Sequence, residues 1–149
     1  MVGALLLDLY AGSGNIGIEA LSRGAAKVVF VDRYTASMGL ILENLSSLGI
    51  VDFETYKMDS IKAVWALSRR GASFNIIFID SPYFSGLGER SLEATAKGKI
   101  LKDGGVVVLK HHRKDNSPTE VEGLSRTRVS DYGDTHLSFY AACSEGEDP

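Results

Sequence analysis

Three glycines and one aspartate stand at positions that could bind the nucleoside part of a cofactor. Gly12, Gly14 and Gly17 have the spacing G-x-G-x-x-G between an apolar run and a helical pattern. Glycine permits a tight turn and a close ligand approach, and the following helix offers free N–H groups. Asp32 ends the next apolar run, where its carboxylate could accept hydrogen bonds from both ribose hydroxyls. A nucleoside-containing ligand is therefore predicted; the alternative is that the glycines only form a tight turn and Asp32 caps a helix.

Two further features distinguish a dinucleotide from S-adenosylmethionine. Asp8 lies just ahead of the glycines, where a carboxylate would repel a pyrophosphate but attract ammonium and sulfonium cations. A carboxylate, a proline-restrained backbone and an aromatic ring follow a later apolar run, and together they could receive a planar exocyclic amine. These four residues are Asp80, Ser81, Pro82 and Tyr83. A nicotinamide-dinucleotide domain has no use for such a receptor, so the pattern favours methyl transfer to an amine, with the carboxylates of Asp8 and Asp80 flanking one cleft.

The elements that must position these residues follow from apolar runs and helical periodicity. Continuous apolar runs at 5–7, 28–31, 76–79 and 106–109 are typical of parallel strands buried on both faces, and 53–57 adds another strand. Helical patterns separate them at 16–23, 38–48, 61–67 and 92–101. Residues 126–132 and 137–142 predict an antiparallel hairpin after a loop at 114–125. The fold class is therefore α/β, a doubly wound, mostly parallel Rossmann-like sheet with a C-terminal antiparallel hairpin.

Length and composition fit one globular domain. The chain has 149 residues, of which 44% are hydrophobic and 23% charged, with a net charge of −3. We predict a domain over 1–143 and a flexible acidic tail over 144–149. No apolar run reaches the roughly 18 residues of a membrane span, and no signal peptide is evident. Cys143 is the sole cysteine, which excludes an intramolecular disulfide. We expect a cytoplasmic monomer without a metal site, because the adjacent histidines lack metal-ligand spacing.

The same motifs carry a family resemblance over nearly the whole chain. Residues 8–14 resemble motif I of class I S-adenosylmethionine-dependent methyltransferases. More narrowly, the chain is similar to bacterial methyltransferases that modify guanine N2 in 16S ribosomal RNA. That family has the pattern D-L-F-A-G-S-G-x-x-G-x-E-A-x-S-R-G-A, then V-x-x-V-D, E-N-L and F-D-x-I-F-x-D-P-P-Y. The corresponding segments are 8–25, 28–32, 43–45 and 74–83, and residues 132–135 resemble the family's tail.

This resemblance implies a role for each matching position. The implied cofactor contacts are Asp8, Gly12 and Gly14 at the methionine end, Asp32 at the ribose, Asp59 at the adenine amino group with Met58 and Ser60 beside the ring, and Tyr10, Ala11 and Arg33 as neighbours. Asp80 and the Ser81 carbonyl would hold the target amine, and Tyr83, after Pro82, would stack on its base. Two departures are evident: Ser81 replaces a family proline, and motif I begins at residue 8, whereas family members carry a few tens of residues ahead of it.

The implied partner is ribosomal RNA or a small-subunit assembly intermediate. Three alternatives stay open from the residues: a methyltransferase for DNA adenine or a protein amide, a non-catalytic nucleoside-binding module, and a nicotinamide-dinucleotide domain. The basic segment 110–114 could contact phosphates or form a solvated loop. Phe84 could stack on the base beside Tyr83 or pack internally, and Trp65 is predicted to lie in the core because it falls on a helical apolar stripe.

Overall fold

Strands and helices alternate along most of the chain, as the apolar runs predict. A computed structural model describes residues 1–143. Its elements are β1 (Leu5–Leu9), α1 (Asn15–Ser22), β2 (Lys27–Asp32), α2 (Thr35–Ser47), β3 (Phe53–Lys57), α3 (Ser60–Arg69), β4 (Phe74–Ile79), α4 (Leu87–Gly98), β5 (Leu101–His112), β6 (Glu120–Val121), β7 (Leu124–Tyr132) and β8 (Thr135–Ala142). The predicted acidic tail at 144–149 lies outside the described residues.

The strands form one eight-stranded sheet in the order β3-β2-β1-β4-β5-β8-β7-β6. The first five of these are parallel, and β8, β7 and β6 extend the sheet in antiparallel fashion. This confirms the predicted fold class. In the register, Leu9 lies beside Val31 and Ile79. Asp32 and Asp80 therefore come to the same edge of the sheet, where the parallel strands end.

Two hydrophobic cores cover the two faces of the parallel strands. On one face, α1 and α2 pack over Leu6 and Phe30, with Ile41 buried between them. On the other face, α3 and α4 cover a larger core that includes Leu7 and Ile77. Gly17 explains the close approach of α1, because a Cβ at this position would lie 2.3 Å from the Phe30 ring. We refer to the two sides as the α1/α2 face and the α3/α4 face.

A β-bulge in β7 separates two arginines. Arg126 pairs with Tyr140 and Arg128 pairs with Phe139, so Thr127 is an extra residue between the two pairs. Neighbouring residues on β8 point to opposite faces of the sheet. Arg126 therefore lies on the α3/α4 face with buried Tyr140, whereas Arg128 lies on the α1/α2 face, 4.2 Å above the Phe139 ring.

The structure corrects several expected boundaries. The predicted loop 114–125 contains the short strand β6 and the start of β7, which pair with each other. Helix α4 begins five residues before the expected start at 92, and β5 extends well beyond 106–109 at both ends. Trp65 was expected in the core but is 37% exposed, because α3 buries the small and apolar side chains of Ala63, Val64 and Leu67 instead.

Candidate functional site

A cavity of about 560 Å³ opens where the parallel strands end. It brings together most of the residues that the sequence assigns to cofactor and target. These are Tyr10, Asp32, Arg33, Asp59, Ser60, Asp80, Ser81, Pro82 and Tyr83. Three residues that were not predicted from the sequence also line the cavity: Tyr34, Ser37 and Leu87. Only their positions in the sequence, shortly after β2 and at the start of α4, could have indicated that they belong to the site.

The glycine loop takes a left-handed path between β1 and α1. Tyr10, Gly12 and Gly14 all have positive φ, of 62°, 59° and 83°. A Cβ on Gly12 would meet nothing within 4 Å, whereas one on Gly14 would lie 3.1 Å from Ile41. Gly12 is therefore required by its backbone conformation, and the open space beside it would let a ligand reach the bare backbone. Ala11, Gly12 and Gly14 do not themselves line the cavity.

Asp32 ties the glycine loop to the start of α2. The backbone N–H groups of Gly12 and Tyr34 donate to Oδ2 and Oδ1 of Asp32, each at 2.9 Å. The carboxylate is almost fully buried, yet it lines the cavity. Each carboxylate oxygen can accept more than one hydrogen bond, so this local structural role leaves capacity for ribose hydroxyls. The ribose interpretation of Asp32 is thus compatible with its geometry. The alternative that Asp32 caps α2 is not, because the N-cap residue of that helix is Tyr34 and Asp32 bonds the N–H of Tyr34 rather than one within the helix.

Asp59 and Met58 follow β3 but have different surroundings. Asp59 caps α3, with its Oδ2 accepting from the Lys62 N–H at 3.0 Å, and it lines the cavity beside Ser60. Met58 does not line the cavity; its side chain packs against the core of the α3/α4 face.

Tyr10 reaches across to Ser91, with 2.7 Å between the two hydroxyl oxygens, and burial raises the pKa of the Tyr10 phenol.

Asp8 is a buried carboxylate inside β1 rather than one side of a cleft shared with Asp80, as the sequence predicted. It is 2% exposed, its Oδ2 has no hydrogen-bond partner among the described residues, and it does not line the cavity. Burial raises the pKa of Asp8 to about 7; the Gly17 N–H opposes that shift, while the charges of Asp80 and Asp32 add to it. Its side chain therefore lies within electrostatic reach of both carboxylates but is not a wall of the cavity. Its contact with a cofactor stays a prediction.

Asp80 follows β4 and forms an ion pair with a lysine of β5. Lys110 Nζ lies 3.6 Å from Asp80 Oδ2. Partial burial raises the pKa of Asp80, and the Lys110 ammonium opposes that shift. Ser81 is almost fully buried, and its Oγ would lie 2.9 Å from a Cβ on Gly88. Close packing against the start of α4 therefore restrains Ser81, where the family pattern has a proline.

Aromatic rings cluster beyond Asp80. Tyr83, Phe84 and His112 contact one another, with ring centroids 4.6 Å apart for Phe84 and His112 and 5.6 Å for Tyr83 and His112. The Tyr83 hydroxyl lies 2.7 Å from Thr135 Oγ1. The N–H of Phe84 donates to the Asp115 carboxylate, and the Phe84 ring is 66% exposed. His112 and Asp115 were not predicted as site residues, because their contacts are distant in sequence.

The residues of the basic segment 110–114 have different surroundings. Lys110 pairs with Asp80, and Arg113 pairs with Asp134 at 3.0 Å. His111 is buried and hydrogen-bonded to Ser138. The segment is thus part of the site's framework rather than a uniform strip of free charge.

Comparison with known proteins identifies the family. Residues 1–141 match the family described as Conserved hypothetical protein 95. The chain belongs to that family. A relative from Bacillus subtilis, "Putative rRNA methyltransferase YlbH", is 36% identical over 135 residues, which is 90% of this chain and 73% of the relative. The "Ribosomal RNA small subunit methyltransferase D" of Escherichia coli strain K12 is 27% identical over 147 residues, 99% of this chain and 73% of the relative.

A solved structure of this fold contains a cofactor product. The protein SMU.776, solved in complex with SAH, is 14% identical to this chain. The two structures align with a TM-score of 0.76, and the alignment covers 93% of this chain and 45% of SMU.776. At that identity the likeness concerns the fold alone. The two methyltransferase relatives, together with this fold, confirm the predicted resemblance to class I methyltransferases. Within residues 1–143, no helix is long and apolar enough to cross a membrane, and no cluster of three His, Cys, Asp or Glu side chains is arranged to hold a metal ion.

Proposed function

We propose that this protein transfers a methyl group from S-adenosylmethionine to an exocyclic amine of ribosomal RNA, and that the amine is guanine N2 of the small-subunit RNA. One observation carries the proposal: Asp80 and Tyr83 line the same cavity as Asp32 and Asp59. A receptor for an amine and a receptor for a nucleoside are therefore within one enclosure. The names of the two rRNA methyltransferase relatives support RNA as the substrate.

The cavity has features that fit S-adenosylmethionine. Its volume of about 560 Å³ lies within the range of small-molecule sites. Asp32 has acceptor capacity for the ribose. Gly12, which is bonded to Asp32 but does not itself line the cavity, has open space beside its backbone. Burial raises the pKa of Asp8 to about 7; once this carboxyl has lost its proton, its Oδ2, which lacks a partner among the described residues, would supply negative potential toward a cationic methionine end. When bound, the cofactor supplies an activated methyl group on a positively charged sulfur.

The chain's own task is to make the target nitrogen nucleophilic. A nucleobase amine delocalises its lone pair into the ring. Hydrogen bonds from its two N–H groups to the Asp80 carboxylate and the Ser81 carbonyl would favour a pyramidal nitrogen with a free lone pair. As the N–C bond forms and the methyl's bond to sulfur breaks, positive charge develops on nitrogen beside Asp80. Asp80, whose pKa burial raises, is placed to accept the surplus proton.

Tyr83 would orient the base. Its hydroxyl contact with Thr135 restrains the ring at the cavity mouth. A base in structured RNA must leave its stack to enter such a site, and an aromatic surface replaces part of the lost stacking. Correct orientation of reacting groups can supply roughly 7–11 kcal/mol of the barrier reduction. A DNA adenine or protein amide could use the same four-residue receptor, and the names of the relatives favour ribosomal RNA.

The Asp80→Asn variant tests the proposal. Asn cannot accept the proton or balance the charge, so we expect methyl transfer to unmethylated small-subunit RNA to fall at least ~100-fold. Calorimetry should show that S-adenosylmethionine still binds, while NAD does not bind the wild type. Asp103→Asn is the matched control, because Asp103 is exposed on β5 and outside the cavity. Mapping the modified base identifies the target; unchanged transfer by Asp80→Asn, or a methylated base other than guanine, would contradict the proposal.

A further inference from the structure

A second cavity, of about 530 Å³, lies on the α3/α4 face of the antiparallel strands. Strands β5, β7 and β8 form its floor, and the loop after β5 forms its wall. Three cationic side chains line it, Arg113, Lys114 and Arg126, against the single acidic side chain of Asp115. We call this cavity the basic pocket. It is separate from the methyl-transfer cavity, with which it shares no lining residue.

The basic pocket has an excess of positive charge. Arg113 is neutralised by Asp134. The Asp115 carboxylate accepts hydrogen bonds from the backbone N–H groups of Phe84 and His112, so it holds the loop rather than pairing with a cation of the pocket. Among residues 1–143, no carboxylate forms an ion pair with Arg126 or Lys114. Two cations of the pocket are therefore available to an anionic ligand.

Neutral acceptors hold Arg126 in place. Its Nη1 donates to the Ser117 carbonyl at 2.7 Å and to the Ser117 hydroxyl at 3.3 Å. Ser117 Oγ donates to Ser138 Oγ, which in turn lies 2.7 Å from His111 Nε2. The other ring nitrogen of His111 faces the His112 carbonyl at 2.8 Å. That nitrogen faces a carbonyl and therefore carries a proton. Burial lowers the pKa of His111, which favours the neutral ring, and in the neutral ring Nε2 accepts from Ser138.

The hydrogen bonds from Arg126 through Ser117 and Ser138 to His111 fix the position of the Arg126 guanidinium, and they leave its charge in place because every acceptor in the chain is neutral. An arginine held in this way is suited to phosphate, because its fixed planar donors match phosphate oxygens and its side-chain entropy is already reduced. The β-bulge at Thr127 is what brings Arg126, and not Arg128, to this face of the sheet. Backbone geometry, hydrogen bonding and charge therefore converge on one position.

The basic pocket adjoins the target receptor. Asp115 lines the pocket and binds the N–H of Phe84, the residue next to Tyr83. His112 lies between the two regions, with its ring on Phe84 and its carbonyl on His111. A nucleic acid whose base entered the methyl-transfer cavity would thus pass close to Arg126 and Lys114.

We propose that the basic pocket binds a backbone phosphate of the substrate RNA near the methylated nucleotide, with Arg126 and Lys114 as its ligands. The inference rests on the proposed function, since it takes RNA as the substrate. Phosphate contacts set the register of a protein on a nucleic acid. The pocket therefore positions the RNA strand while Asp80 and Tyr83 select the base.

The test measures binding of the full chain to unmethylated small-subunit RNA between 50 and 200 mM salt, a range over which an affinity that depends on phosphate contacts falls steeply. Lys114→Gln and Arg126→Gln should each weaken binding several-fold and flatten the slope of log K against log salt. The variant that carries both substitutions should flatten it by about 0.7–0.9, the contribution of one phosphate. Arg126→Lys keeps the charge and should keep the slope. Arg128→Gln is the matched control, since it removes the same charge from the opposite face.

The outcomes separate this inference from the function on which it rests. If the wild type binds and methylates the RNA but Lys114→Gln and Arg126→Gln shift the slope no more than Arg128→Gln does, the basic pocket is refuted and the proposed function stands. If the wild type neither binds nor methylates the RNA, both are refuted. Lys114→Gln guards against a folding artefact, because no side-chain hydrogen bond or ion pair of Lys114 is found in the described part of the chain.

Discussion

The buried carboxylate of Asp8 should make the fold less stable as pH rises. In the folded protein its pKa is about 7, against 3.8 for an ordinary aspartate, and desolvation by burial is the main cause. Below pH 3.8 both folded and unfolded chains hold the proton. Between pH 3.8 and 7 the unfolded chain releases it while the folded chain retains it, so the free energy of unfolding falls.

The size of the effect follows from the pKa difference. A change of one pKa unit is worth about 1.4 kcal/mol, so the Asp8 contribution to stability that is present in acid should decline by about 4 kcal/mol by pH 8. That is a large fraction of the roughly 5–15 kcal/mol that stabilises most domains. Asp8→Asn keeps the shape of the side chain and removes the titration.

Urea unfolding of wild type and Asp8→Asn at several pH values between 4 and 8 measures the effect. We expect the difference in unfolding free energy to shift by about 4 kcal/mol in favour of the variant as pH rises. Any constant cost of burying the Asn amide cancels, because it does not depend on pH. A difference that stayed constant over this range would refute the conclusion that Asp8 holds its proton in the folded state.

Two further predictions concern packing and the acid limb of catalysis. Gly17→Ala should destabilise the fold by about 1–3 kcal/mol in urea unfolding, because its Cβ would lie 2.3 Å from Phe30. The control is Gly39→Ala in α2, where a Cβ would meet nothing within 4 Å, and this variant should be more stable by about 0.5–1 kcal/mol. Equal effects of the two substitutions would contradict the packing argument. Lys110→Gln removes the cation that lowers the pKa of Asp80, so the acid limb of the kcat/KM profile for methyl transfer should move to higher pH; an unmoved limb would mean that Asp80 does not need to be ionised.

The parallel half of the fold was predictable because its strands are buried on both faces. Such strands form continuous apolar runs, and the turn residues between them mark where ligands can bind. Asp32 and Asp80 were accessible to sequence reasoning for this reason, whereas Asp59 was assigned through the family resemblance. Asp32 ends β2, Asp80 directly follows β4 and Asp59 lies two residues after β3, and the structure brings all three to one cavity.

Features that depend on distant contacts could not be predicted in the same way. No local pattern shows that Thr127 is an extra residue in β7, because a bulge is defined only against its partner strand. Periodicity placed Trp65 on the apolar stripe of α3, but the packing of α3 against α4 leaves it at the margin. The burial of Asp8 was missed because a polar residue next to a glycine loop is typical of an exposed turn.

The two hydrogen bonds of Asp32 link ligand recognition to the architecture around it. One carboxylate fastens the loop after β1 through Gly12 and the turn before α2 through Tyr34. Replacing Asp32 would remove the hydrogen bonds that hold these two segments, in addition to removing a ribose acceptor. A loss of cofactor affinity in such a variant would therefore have two causes: the missing hydrogen bonds to the ribose and the greater mobility of the two segments beside the cavity. Conversely, a ligand that engages this carboxylate should order both neighbouring segments together.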